Sequence, residues 1–240
     1  MSRNILTGLV GAWCPSLGPS GYTLLDRSGR GNHGSLVNMD AGSDWVGSPG
    51  GWVLDYDGTD DYVTARATLT GAFTISIWAN RRSVGLNTRV MWGNTANTTY
   101  AATAKPTSLG TRSDSISEIS FLGFTFSNNI LFHVLLSRDG ANNMRVWKDG
   151  VESSSGAVSV TGAYTLGSIG TYSTAPSYGW DGTIGDIAAW NRAFSVPEVA
   201  ALYQRGPGGL GRLLTQRAQR RVFRTAQGNR RRRLICGAEC

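Results

Sequence analysis

The chain has 240 residues with a formal charge of +7, 40% hydrophobic and 16% charged residues, 32 glycines and 7 prolines. At about 100 to 200 residues per domain, with all-β sandwiches reaching roughly 250, this is one large domain or a domain with a tail, and a small stapled scaffold is excluded. Glycines at this density, without a triplet period and beside 8 Trp and 8 Tyr, exclude collagen and disorder and point to turns between many short strands.

Met1 to Trp13 lacks the apolar core and small-residue cleavage site of a secretory signal, and no run of 18 apolar residues follows. Synthesis in the cytoplasm without an ordinary export signal or membrane span is therefore expected. Runs rich in Val, Ile, Thr and aromatics predict strands at Trp52 to Tyr56, Phe73 to Trp78, Ile130 to Leu136, Met144 to Lys148 and Ile184 to Trp190. In the fourth run, alternation places Met144 and Val146 on one face. Asp-Gly pairs at 57–58, 139–140, 149–150 and 181–182 predict chain reversals through positive φ. Near the end, Ser195-Val196-Pro197-Glu198 supplies an N-cap serine, a first-turn proline and a capping glutamate for a helix of about two turns. Gly206-Pro207-Gly208-Gly209 then breaks the chain, which sets the expected boundary between a domain at 1–205 and a tail at 206–240.

Charge divides at the same place. Ten of the 23 basic residues, all Arg, fall in 205–240 beside a single acid, Glu239, so the preceding 204 residues carry a net −2 and the tail a net +9. Leu210, Leu213, Leu214, Ala218 and Val222 recur at helical spacing among Arg212, Arg217, Arg220, Arg221 and Arg224, and Arg230, Arg231, Arg232 and Arg233 follow. This reads as a basic amphipathic helix, or a segment that becomes one on contact, anchoring the chain to an acidic partner, or else as a solvated extension. Nucleic acid is the less favoured partner, since Phe223 is the tail's only aromatic. The cysteines, Cys14, Cys236 and Cys240, are too few for a disulfide framework or a four-ligand zinc site.

The order of motifs resembles the laminin-G-like jelly rolls of the concanavalin A-like lectin and glucanase superfamily. The resemblance is carried by GLVGAW (8–13), DRSGRGNHG (26–34), LDYDGTDDYV (54–63), FTISIWAN (73–80), FHVLLSRDG (132–140), MRVWKDGV (144–151) and WDGTIGDIAAWNRAFSVPEVAALY (180–203). It covers about residues 8–204 and implies an all-β, antiparallel two-sheet jelly-roll sandwich with one short C-terminal helix. Jelly rolls of this kind followed by a basic tail also resemble virion-associated proteins of bacterial viruses. That implies display on a virion, fibre or other extracellular assembly, with a homo-oligomer as one form.

Some members of the superfamily hydrolyse glycans with carboxylates on alternate positions of one strand. None of the four glutamates here sits in such a pattern, so a binding role rather than catalysis is expected. His33 and His133 lack any nucleophile signature nearby and read as structural. Sugar binding needs exposed aromatic faces beside amides, and the candidates are Trp92, Asn94, Asn97, Tyr100, Tyr172, Tyr178 and Trp180. Related jelly rolls often hold a structural calcium at the sheet rim, for which the resemblance implies testing Asp26, Asn32, Asp60 and Asp186. Three readings stay open: a glycan-binding adhesion module, a structural decoration protein whose jelly roll contacts protein, and a nucleic-acid binder acting through its tail.

Overall fold

The computed structural model describes residues 4–83, 89–94, 100–105, 108–113, 116–172 and 179–219, with backbone alone at 100–105 and 116–117. In chain order the strands are β1 (Leu9–Trp13), β2 (Thr23–Leu24), β3 (Gly34–Val37), β4 (Trp45–Ser48), β5 (Gly51–Asp57), β6 (Tyr62–Leu69), β7 (Phe73–Arg81), β8 (Val90–Gly93) and β9 (Tyr100–Lys105). They continue with β10 (Ser108–Ser113), β11 (Ile116–Leu122), β12 (Leu131–Arg138), β13 (Asn143–Lys148), β14 (Val151–Glu152), β15 (Val158–Ser159), β16 (Tyr164–Ile169) and β17 (Asp181–Trp190). Helix α1 spans Val196–Tyr203, and a second helix, α2, spans 209–219.

Two antiparallel sheets pack as a sandwich. One runs β14-β13-β12-β7-β17-β5-β4, with β1 paired to β17 and β15 to β13; the other runs β11-β10-β9-β8-β16-β6-β3-β2. Alternation decides what faces the interior. In β7, Phe73, Ile75, Ile77 and Ala79 enter the sandwich core, while Thr74, Ser76, Trp78 and Asn80 face outward. Met144 and Val146 enter the same core from β13, as the sequence predicts.

The outer face of the first sheet is covered as well. Leu135, Trp147, Ala188 and Trp190 form a second core with Phe194, Val199 and Leu202 around α1, Leu210 and Leu214 on α2, and Ile5, Leu6 and Cys14 near the N-terminus. Helix α1 starts with the predicted capping box of Ser195 and Glu198. Helix α2 falls where the leucine spacing predicts an amphipathic helix, and its apolar stripe docks on the domain past the boundary expected at residue 205.

The Asp-Gly pairs behave differently from one another. Asp149 (φ 51°) and Gly150 (φ 80°) form the two-residue hairpin between β13 and β14, and Gly58 (φ 82°) turns the chain between β5 and β6. At 139–140 the chain reverses, but the left-handed residue is Asn142 (φ 66°). Asp181-Gly182 is no reversal: it opens β17, where Gly182 passes so close to β7 that a β-carbon would stand 2.2 Å from the Asn80 carbonyl oxygen.

Candidate functional site

The β5–β6 turn carries the sequence Asp57-Gly58-Thr59-Asp60-Asp61. Its backbone is held by its own acids: Asp57 Oδ1 accepts from Thr59 N–H at 2.7 Å, and Asp61 Oδ2 accepts from Asp57 N–H at 2.9 Å. This brings one carboxylate oxygen from each of Asp57, Asp60 and Asp61 within 4.8 Å of the others, with Asp57 and Asp60 exposed and Asp61 buried. Burial, with the neighbouring charges of Asp57, Asp44 and Asp60, raises the Asp61 pKa to about 6 against the hydrogen bond from Asp57.

Pairing of β17 with β5 places Asp181 opposite Asp57, a like-charge pair that needs compensation. Two arginines provide it. Arg82 donates to Asp181 at 2.9 Å and to Asp55, while Ser83 donates to the other Asp181 oxygen. Arg89 lies 4.0 Å from Asp181, and its Nη1 donates to the carbonyls of Gly58 and Gly179, both at 2.8 Å. That guanidinium ties the β5–β6 turn, the approach to β8 and the approach to β17 into one rim at the end of the sandwich.

Arg89 and Gly179 place this rim beside the segments that hold the sugar-contact candidates, 92–100 and 172–180, but the candidates among the described residues do not form an exposed aromatic surface. Trp92 and Trp180 are 1% and 0% exposed and belong to the sandwich core, where Trp180 packs edge-on against Phe132. Their faces are spent on the core and cannot stack on a sugar. Asn94 and Tyr172 are also buried. Asn97, Tyr178 and the Tyr100 side chain lie outside the described residues.

The expected calcium ligands do not converge either. Both oxygens of Asp26 are engaged: Oδ1 accepts from Ala12 and Ser28 N–H, and Oδ2 from Asn32 N–H and the Ser28 hydroxyl. Asn32 turns its carbonyl to Trp13 Nε1 at 2.7 Å, and His33 Nδ1 accepts from Asp26 N–H. Asp26, Asn32 and His33 therefore order the 26–34 loop. Asp186 is buried in β17, where its oxygens accept from Ser16 N–H and from Gly211 N–H of α2, and burial raises its pKa. Of these four, Asp60 alone stands in a carboxylate cluster among the described residues, with exposed Asp57 and buried Asp61.

His133 is fully buried, with Nε2 2.7 Å from Ser76 Oγ. Glu198 is used in the α1 cap and lies 2.8 Å from Arg192, and Glu152 pairs with Arg145. In the anchor set, Arg212 is turned back onto the carbonyls of Arg205 and Pro207, and Arg217 is exposed on α2. Arg220, Arg221, Arg224 and Arg230 to Arg233 lie outside the described residues.

Sequence reasoning missed the rim's arginines and a pocket on the outer sheet face beside Trp52 and Trp78. Trp78 was readable, because alternation in FTISIWAN puts it opposite Ile75 and Ile77. Arg89 carried no signal, since its acceptors are backbone carbonyls distant in sequence.

A family model described as concanavalin A-like lectin/glucanases superfamily matches residues 57–200. Among solved structures, domain 4 of AbnA, a GH43 extracellular arabinanase from Geobacillus stearothermophilus in complex with arabinotriose, is similar with a TM-score of 0.63 at 16% identity, covering 81% of this chain and 98% of that one. A Trypanosoma rangeli sialidase is similar with a TM-score of 0.59 at 14% identity, covering 82% of this chain. The alignment spans about a third of that sialidase, 33%. No curated protein matches the sequence.

Proposed function

Because the chain belongs to the concanavalin A-like lectin/glucanase superfamily, we propose that it is a non-enzymatic glycan-binding module whose sugar contacts lie on the rim built from the 57–61 turn, Arg82 and Asp181. The observation that carries this reading is the Arg89 clamp, which fixes three chain segments before any ligand arrives. Preorganised carboxylates and a guanidinium suit sugar hydroxyls, which donate to the first and accept from the second. An arabinanase domain of the same fold, solved with arabinotriose, supports the choice of ligand class.

Calcium fits the same turn. Three carboxylate oxygens within 4.8 Å of one another can share one ion with bonds of about 2.3 to 2.6 Å. Its role would be to neutralise the acids and fix the turn. The basic segment beyond α2 serves in this reading as an anchor to an acidic surface of a virion or other extracellular assembly, through guanidinium–carboxylate pairs.

The test is a glycan array probed with the full chain in calcium and in chelator, beside an Asp57→Asn/Asp60→Asn variant. Binding to a defined glycan that the variant loses, without turnover of the bound sugar, supports the reading. No binding in either condition, or binding indifferent to the variant, overturns the rim site and favours a structural decoration protein.

A further inference from the structure

The first sheet carries a pocket separate from the rim. Strand β17 pairs with β5 through Ile184 and with β1 from Ile187 onward, and a bulge between those residues leaves Gly185 and Asp186 out of register with β7. Bulges re-aim side chains and often border binding sites. Here a cavity of about 150 Å³ opens beside Pro207 and Gly208, bordered by Trp52, Val53, Trp78, Asn80, Leu131 and Gly185. An apolar cavity of about that volume admits one benzene-sized ring.

Gly185 makes the room. A β-carbon there would stand 3.4 Å from Trp78 Cβ and 3.7 Å from Val53 Cγ1, which is ordinary contact, and its φ is not in the left-handed region. Neither sterics nor backbone demands glycine at this position. A strand glycine gives up packing and order, and one reason to carry it is close approach of a ligand. Asn80 Oδ1 adds a second sign: it is buried beside the cavity with no hydrogen-bond partner among the described residues, an unfavourable state that a bound donor would relieve. Trp52 and Leu131, 40% and 43% exposed, leave an apolar entrance.

We propose that this pocket binds a single aromatic ring bearing one hydrogen-bond donor, the chemistry of a phenol or an indole, with the ring against Trp52 and Trp78 and the donor on Asn80 Oδ1. A sugar ring fits less well, because its several hydroxyls need several partners. Ser48 Oγ already donates to the Gly51 carbonyl, and both Asp186 oxygens already accept backbone N–H groups. Asn80 Oδ1 and Ser16 Oγ are the buried side-chain atoms of the described lining left without a partner, too few for a sugar's hydroxyls among largely apolar walls and enough for the polar group of an aromatic body.

The site is independent of the rim, so either can fail alone. The test titrates 4-fluorophenol into the full chain by fluorine NMR, with fluorobenzene, glucose and N-acetyl-tyrosinamide as comparators. Saturable 4-fluorophenol binding is expected, weakened at least about tenfold by Gly185→Val, weakened by Asn80→Leu, and unchanged by Asp57→Asn/Asp60→Asn. Gly185→Ala and Trp52→Ala, checked for an unchanged melting profile, cover the case in which Val disturbs the strand. Competition by N-acetyl-tyrosinamide identifies an aromatic side chain of a partner as the source, and its absence identifies a free small molecule. No saturable binding, indifference to all pocket variants, equal affinity for fluorobenzene, or displacement by glucose overturns the proposal.

Discussion

His133 offers the sharpest test of how the outer face of the first sheet is built. Its ring is 0% exposed, packs at a tilt against Trp78 at 4.9 Å, stacks on Tyr203 at 5.8 Å, and meets Ser76 Oγ through Nε2, while Nδ1 has no hydrogen-bond partner among the described residues. Burial, partly opposed by Asp149, lowers its pKa from 6.5 to about 4. Above pH 6.5 the ring is neutral in both the folded and unfolded states, so its contribution is intact. Between pH 6.5 and 4 the unfolded chain takes up a proton that the folded protein refuses, and stability falls by about 1.4 kcal/mol per pH unit, about 3 kcal/mol in all. His133→Leu removes this titration and leaves Ser76 without the imidazole, a cost of about 1 to 2 kcal/mol at pH 7.5. The two effects cross, so wild type is the more stable form at pH 7.5 and the variant at pH 4. Urea denaturation of both proteins at pH 7.5, 6, 5 and 4 measures the difference directly, because contributions common to both cancel. A difference that stays constant with pH would show that His133 is not held neutral by burial.

Asp61 has the opposite sign. Its folded pKa of about 6 lies above the ordinary 3.8, so its ionisation costs stability as pH rises between those values. Asp61→Asn, which keeps an acceptor for Asp57 N–H, is expected to raise stability by about 1 to 2 kcal/mol at pH 7.5 in chelator and to change little at pH 4, as read by the same denaturation series. Gly182→Ala combines a φ of 129° with a 2.2 Å approach to the Asn80 carbonyl, and is expected to cost more than about 3 kcal/mol or to abolish folding, checked by thermal melting. Truncation after residue 205 exposes the face covered by Leu210 and Leu214 and strips Asp186 of its Gly211 partner. At about 1.5 to 3 kcal/mol per leucine, the 1–205 fragment is expected to melt roughly 10 °C below the 1–219 fragment. Equal melting temperatures would show that α2 adds nothing to the domain.

Much of the fold was legible because its signals are local. The strands at 52–56, 73–78, 130–136 and 184–190 follow from β-branched and aromatic runs, the 149–150 hairpin from a dipeptide that accepts positive φ at both positions, and α1 from its capping box. Gly182 misled because glycine serves two needs. In a turn it supplies positive φ, whereas at the start of β17 it also lets two backbones approach, and the dipeptide looks the same in both. Helix α2 was legible from its helical spacing, but its docking was not: three leucines suffice to seat one face on the domain, and the arginines then occupy the other.

The site was harder to read because its residues are defined by what surrounds them. Trp92 and Trp180 have the composition of a sugar platform and the burial of a core, and only the partner sheet decides between these. Asp26 and Asp186 are acids in glycine-rich or strand settings, the pattern that suggested calcium. Each is consumed by backbone N–H groups, at long range for Asp186, where Ser16 and Gly211 lie far apart in the chain. Asp57 and Asp60 differ in having no such buried obligations: they stay at the surface, in a turn whose position Arg89 fixes from outside. Asp26 and Asp186 are enclosed and saturated with donors, while Asp57 and Asp60 are exposed and keep carboxylate oxygens open to a ligand. That physical distinction, invisible in composition, is why the proposed binding surface is the 57–61 rim and not Trp92 or Trp180.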